Sequence, residues 1–214
     1  MTKENLKIYF DFLEETFPNA KCALNYSKDY ELLIAVMLSA QTTDKAVNIA
    51  TSRLFLDYPS LESLAKADLK DIENHIAFLG MYRNKAKNII GIASKLLEDG
   101  YTSVPNDPEY LVTLPGVGNK TKNCVLAELY NEPLLAVDTH VQRISKRLNM
   151  VKESDSVLEM EHKLIKQIPS ERLVKINHQI IWFGREICKA QNPHCEKCAC
   201  TGFCSYYKKK KSTI

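Results

Sequence analysis

The stretch Leu114-Pro115-Gly116-Val117-Gly118-Asn119-Lys120-Thr121 decides how this chain is read. Upstream of it, Asp107 followed by Pro108 is a strong helix start, because the carboxylate satisfies free amides and proline loses no needed donor at the first helical position. Leu114 to Gly118 then breaks that helix, and a second begins at about Asn119. Gly116 and Gly118 can take positive φ and leave the backbone bare enough for a ligand to approach closely. The amides at the start of the second helix suit a phosphate, although five residues of this kind also make an ordinary corner between helices.

Two residues around this hairpin carry chemistry. Lys120 falls in the first turn of the second helix, where the positive end of the dipole and the neighbouring Lys122 make its amine a candidate nucleophile. Eighteen residues further on, Val137-Asp138-Thr139-His140 follows an apolar stretch and opens a basic helix with Arg143, Lys146 and Arg147. Asp138 reads first as a helix cap, but a carboxylate held there also stabilises developing positive charge or takes a proton beside an amine.

The rest of the chain is helical in pattern, with apolar residues three or four apart and no strand ladder. Leu6, Phe10, Leu13 and Phe17 form a stripe stopped by Pro18. Another runs through Leu69, Ile72, Ile76 and Leu79, opened by Asp68 and closed by Gly80, and a third through Ala86, Ile89, Ile90, Ala93, Leu96 and Leu97. The run Leu32 to Leu38 reads as a buried helix with Asp29 and Glu31 at its start, and Leu173 to Ile187 as a helix leading into Cys188. Lys208 to Lys211 reads as a solvated, frayed tail or, less often, a phosphate-binding tag.

Composition agrees with a folded globule: of 214 residues, 45% are hydrophobic and 26% charged, which excludes a disordered chain, and 7 Gly with 8 Pro exclude a collagen-like one. The net charge of +3 hides an asymmetry, net −4 over residues 1–110 and net +7 over 111–214, which leaves a polyanionic partner and plain solvated charge both open. No apolar run reaches a membrane span and the first ten residues carry charges, so a cytoplasmic protein without a membrane role is expected, with reduced thiols. Of seven cysteines, Cys188, Cys195, Cys198 and Cys204 follow C-x6-C-x2-C-x5-C, a four-thiolate loop that suits either Zn²⁺ or [4Fe-4S].

Taken together, Leu114 to Thr121, Ala136-Val-Asp-Thr-His140 and the cysteine spacing resemble the endonuclease III family of DNA glycosylases from about Leu6 to Tyr206. The resemblance implies an all-α, two-lobed helix-hairpin-helix DNA glycosylase fold. One lobe would be a helical barrel over 22–132 with the hairpin at about 107–130. The other would join 1–21 to 133–214 and carry a [4Fe-4S] loop at 188–204 on Cys188, Cys195, Cys198 and Cys204. It implies a base excision repair enzyme acting on double-stranded DNA that contains damaged pyrimidines or abasic sites, bound in a cleft between the lobes, with monomer as the default state.

In that family's scheme Lys120 attacks the sugar carbon and Asp138 assists. The glutamine-bearing segment Leu33 to Asp44 places Gln41 in the space left by an extruded nucleotide, and Gly80-Met81-Tyr82-Arg83-Asn84-Lys85-Ala86 places Met81, where a leucine is usual, as a wedge. Leu114, Gly116, Val117, Gly118, Thr121, His140 and Arg143 would contact DNA. Cys200 is an additional thiol inside the loop, either a substitute ligand or a small neighbour. Two rivals are a monofunctional relative that activates water and a non-catalytic iron–sulfur DNA-binding module.

Overall fold

The computed structural model describes residues 1–212, and among them no strand occurs. The helices in chain order are α1 (Lys3–Thr16), α2 (Asp29–Leu38), α3 (Asp44–Asp57), α4 (Leu61–Ala65), α5 (Leu69–His75), α6 (Tyr82–Glu98), α7 (Pro108–Leu111), α8 (Asn119–Tyr130), α9 (Thr139–Arg147), α10 (Val157–Ile165), α11 (Leu173–Glu186) and α12 (Ser205–Lys211). None of them is long and apolar enough to cross a membrane.

Local chemistry sets most of their boundaries. Asp68 Oδ1 accepts from the amides of Lys70 and Asp71 to start α5, and Asp107 Oδ1 accepts from Glu109 and Tyr110 to start α7. At α2 the first-turn acid reaches backwards: Glu31 Oε2 accepts from the amides of Ser27 at 2.7 Å and Lys28 at 3.2 Å. Asp29 instead accepts from the amide of Val104 at 2.6 Å, tying a distant loop to the helix start.

Three expectations are corrected. α5 ends at His75, not at Gly80, and Ile76 and Leu79 reach the core from turns. Of the two hairpin glycines only Gly116 adopts positive φ. Lys208 to Lys211 are solvated, as expected, but belong to α12 and not to a frayed tail.

The chain divides into two compact units, Cys22–Tyr130 and Met1–Lys21 together with the described residues from Asn131 onward. In the first unit α2 is buried on nearly every side, which is why its sequence is a continuous apolar run with no stripe. The long helix α6 buries Ala86, Ile89, Ile92, Ala93 and Leu96 against α2, α4 and α5. In the second unit α1, α9 and α11 enclose a core of Tyr9, Phe10, Leu13, Val141, Ile144, Ile176, Ile180 and Phe183, against which the cysteine segment packs.

Candidate functional site

The hairpin is held by α6. Gly116 sits at φ +76°, and a Cβ there would lie 2.4 Å from Asn88 Nδ2 and 3.2 Å from Met37 Cγ, so both its conformation and its contacts require glycine. A Cβ on Gly91 would meet Pro115 Cγ at 2.9 Å. The turn therefore lies directly on the helix. Leu114 and Val117 are buried and anchor it, while Gly118, with open space where a Cβ would stand, leaves the outer backbone bare. Lys120 is exposed in the first turn of α8, next to half-buried Thr121.

The same helix carries the wedge candidate at its start. Met81 is the residue before α6, left-handed at φ 57° and 51% exposed. Gln41, also exposed, is left-handed at φ 54° in the turn between α2 and Thr43, the cap of α3. Left-handed backbone is uncommon for residues other than Gly, Asn and Asp, so these are two strained points in one unit.

In the other unit Asp138 caps α9, its Oδ1 accepting from the amide of Val141 at 2.8 Å, while Oδ2 carries no hydrogen bond among the described residues. Arg143 Nη2 lies 3.1 Å from His140 Nδ1, and the ring also hydrogen-bonds the Gly184 backbone. Burial pushes the His140 pKa down, and Arg143 and Arg185 push the same way against Asp138. Arg143 also donates from Nε to the carbonyl of Cys188 at 3.1 Å, from Nη2 to that of Gly184 at 3.0 Å, and from Nη1 to that of Thr139 at 3.5 Å. Gly184 makes room: a Cβ there would lie 2.5 Å from His140 Nδ1. The guanidinium thus braces α9 against the end of α11, bonds that the reading of Arg143 as a DNA contact does not include.

Cys188, Cys195, Cys198 and Cys204 line one small pocket of ≈ 20 Å³, together with Arg147, Phe183 and Tyr206. Arg147 is its polar hub. It donates to Cys188 Sγ at 3.2 Å and to the carbonyls of Lys189 and Ala190 at 2.7 and 3.0 Å, and lies 3.9 Å over the Tyr206 ring. Cys200 is fully buried beside the pocket and not on its lining, the small-neighbour alternative. A hydrogen bond from Cys200 pulls the Cys198 thiol down to about 7 and pushes that of Cys200 up.

Among the described residues no three His, Cys, Asp or Glu side chains gather as ligands of one ion. A lone tetrahedral Zn²⁺ would draw its sulfurs to about 3.8 Å from one another. Four thiols lining one pocket, with a guanidinium donating to one sulfur, are a donor set whose chemistry fits an anionic thiolate-held centre. An orphaned group agrees with this: Tyr9, fully buried near Cys188, Cys198 and Cys200, has a hydroxyl with no hydrogen-bond partner. Neither Tyr9 nor the reach of Arg147 is marked by any local sequence pattern.

Residues 34–170 match the HhH-GPD superfamily of base excision DNA repair proteins, and the chain is a member of that class. It is 42% identical over 201 residues to endonuclease III of Bacillus subtilis, covering 94% of this chain and 92% of that one, and 39% identical to endonuclease III of Escherichia coli K12, covering 92% and 93%. A trapped endonuclease III–DNA covalent intermediate superposes with a TM-score of 0.94 at 43% identity over 99% of both chains. A thermostable thymine-DNA glycosylase, 22% identical with a TM-score of 0.84 over 96% of this chain and 98% of that one, shares the fold. The chain belongs to the endonuclease III family, whose members are DNA N-glycosylase/AP lyase enzymes, and it is an enzyme of that class.

Proposed function

We propose that the chain excises oxidised pyrimidines from duplex DNA through a lysine Schiff base and then nicks the strand at the resulting abasic site. Lys120 Nζ attacks C1′ of an extruded nucleotide, the C1′–N bond breaks, and the base leaves with a proton. Loss of the amine proton and ring opening give an iminium. Removal of a C2′ proton then expels the 3′ oxygen by β-elimination. Asp138, with one carboxylate oxygen uncommitted, stabilises the positive charge that develops at the sugar and moves the protons. The observation that carries this reading is an exposed lysine in the first helical turn after a glycine turn held fixed by α6, in a chain that matches a relative captured as a DNA covalent intermediate.

Gln41 fills the vacated space and Met81 wedges the opposite strand. Gly116, Gly118 and Thr121 present backbone and hydroxyl to phosphate, positioned by buried Leu114 and Val117. His140 and Arg143 contact DNA from the start of α9, with Arg143 braced on the carbonyls of Cys188 and Gly184. Cys188, Cys195, Cys198 and Cys204 would hold the [4Fe-4S] cluster, which when bound supplies a structural staple with redox capacity. The protein works as a monomer on cytoplasmic DNA, and its binding weakens steeply with salt because phosphate contacts release counterions.

Borohydride trapping on a duplex containing thymine glycol tests the mechanism. Wild type yields a covalent protein–DNA band, and Lys120→Gln loses it, with at least a roughly thousandfold drop in strand cleavage. Asp138→Asn keeps the helix cap and its stability but loses turnover, which separates the chemical role from the capping one. Base release without trapping would instead identify a monofunctional enzyme.

A further inference from the structure

Lys85 stands one turn into α6, and only 3% of it is exposed. A buried ammonium is rare because it surrenders its hydration, and burial here lowers its pKa. No carboxylate pairs with it among the described residues. Its Nζ donates to the carbonyl of Ala40 at 2.9 Å and to Thr42 Oγ1 at 2.7 Å, and Thr42 Oγ1 in turn donates to the same carbonyl at 3.2 Å. These contacts bracket Gln41, the residue held at φ 54°. At its other end Lys85 is anchored by its amide, which donates to the carbonyl of Met81 at 3.1 Å, where the chain is at φ 57°.

An aliphatic residue of similar length would fill this space without the cost of desolvating a charge, so the fold alone gives no reason for an ammonium here. What the ammonium does that an aliphatic chain cannot is grip two oxygens on either side of a strained, exposed glutamine. We propose that Lys85 is a positioning residue for nucleotide extrusion: it holds the Gln41 turn in its left-handed form and couples it to Met81, so that both side chains are set before DNA is engaged. This rests on the roles proposed above for Gln41 and Met81. Gln41 arrives preorganised, and the ordering cost is met in folding.

The test compares single-turnover excision of thymine glycol opposite adenine, where the nucleotide must be forced out, with the same lesion in a one-nucleotide bulge. Lys85→Met is expected to lose about tenfold on the paired lesion and less than about threefold on the bulge, with undamaged-duplex affinity unchanged. Equal losses on both substrates, or none, overturn the proposal. A cycle with Gln41→Ala separates it from the reading beneath it. If Gln41→Ala leaves paired-lesion excision intact, the role of Gln41 fails and the proposal falls with it. If Gln41→Ala is impaired but Lys85→Met adds its full loss on top, only the proposal fails; the expected result is that the second loss vanishes. Thr42→Val, which removes one acceptor, should fall in the same direction and Thr42→Ser recover, so the idea stays testable even if Lys85→Met folds poorly.

Discussion

Two regions of the molecule bring functional residues into place by opposite means. In the Cys22–Tyr130 unit a single helix does it: α6 presents Met81 at its start, Lys85 under the Gln41 turn, and Asn88 and Gly91 under Gly116 and Pro115. These positions recur every three or four residues, so one face of one rigid element supports Met81, the Gln41 turn and the hairpin together. In the other unit residues 188–204 contain only short 3₁₀ turns, and they are tied from outside by Arg143 and Arg147 to backbone carbonyls. A region built on a helix keeps its geometry unaided. One built on an irregular loop needs bonds from elsewhere, and its remaining inward valences are thiols.

The largest test removes those thiols. Cys198→Ser, or chelation of the proposed cluster's iron, should free the segment from 188 onward: peptides there are expected to lose at least about a hundredfold in amide protection, about 3 kcal/mol of local stability, while peptides over 107–126 keep theirs. Equal loss in both would show that the two regions are not independently built. The next test attacks the helix-built region. Gly116→Ala forces a side chain into left-handed backbone and onto Asn88, with an expected cost of about 3 kcal/mol in denaturant unfolding. A smaller loss would mean that the hairpin can lift from α6. Arg147→Met should cost about 2 kcal/mol, since the carbonyls of Lys189 and Ala190 lose a charged donor, and should be felt only in the cysteine segment.

This difference also explains what could be read from the sequence. The hairpin, the caps at Asp68, Asp107 and Asp138, and the cysteine spacing are local patterns, and local chemistry produces them. The early end of α5 was not legible, because Ile76 and Leu79 continue the apolar period but are delivered to the core by turns that lead into left-handed Met81. Nor were Lys85, Arg143, Arg147 and Tyr9, whose significance lies in where a side chain ends. Lys85 reaches a carbonyl 45 residues away and Arg147 one 42 away, and nothing in the residues between them marks the pairing.

The smallest effect separates the two units by sign. In one, burial lowers the pKa of His75, but its hydrogen bond to Asp57 Oδ2 at 2.8 Å and its contacts with Asp71 outweigh that and leave it raised. In the other, burial and the neighbouring arginines leave His140 lowered. A histidine whose folded pKa is raised adds stability that is fully present below its unfolded pKa of about 6.5 and is lost as pH rises through the folded value. For His140 the order reverses: just below about pH 6.5 the unfolded chain binds the proton first, so stability falls with acid. Denaturant unfolding between about pH 8 and pH 5 should therefore show that His75→Gln makes the protein more acid-sensitive and His140→Gln makes it less so. If both substitutions moved the profile the same way, one of the two ring environments would be misassigned. The contact of Arg143 with His140 Nδ1 would be the first to question, because a proton on that nitrogen would face the guanidinium.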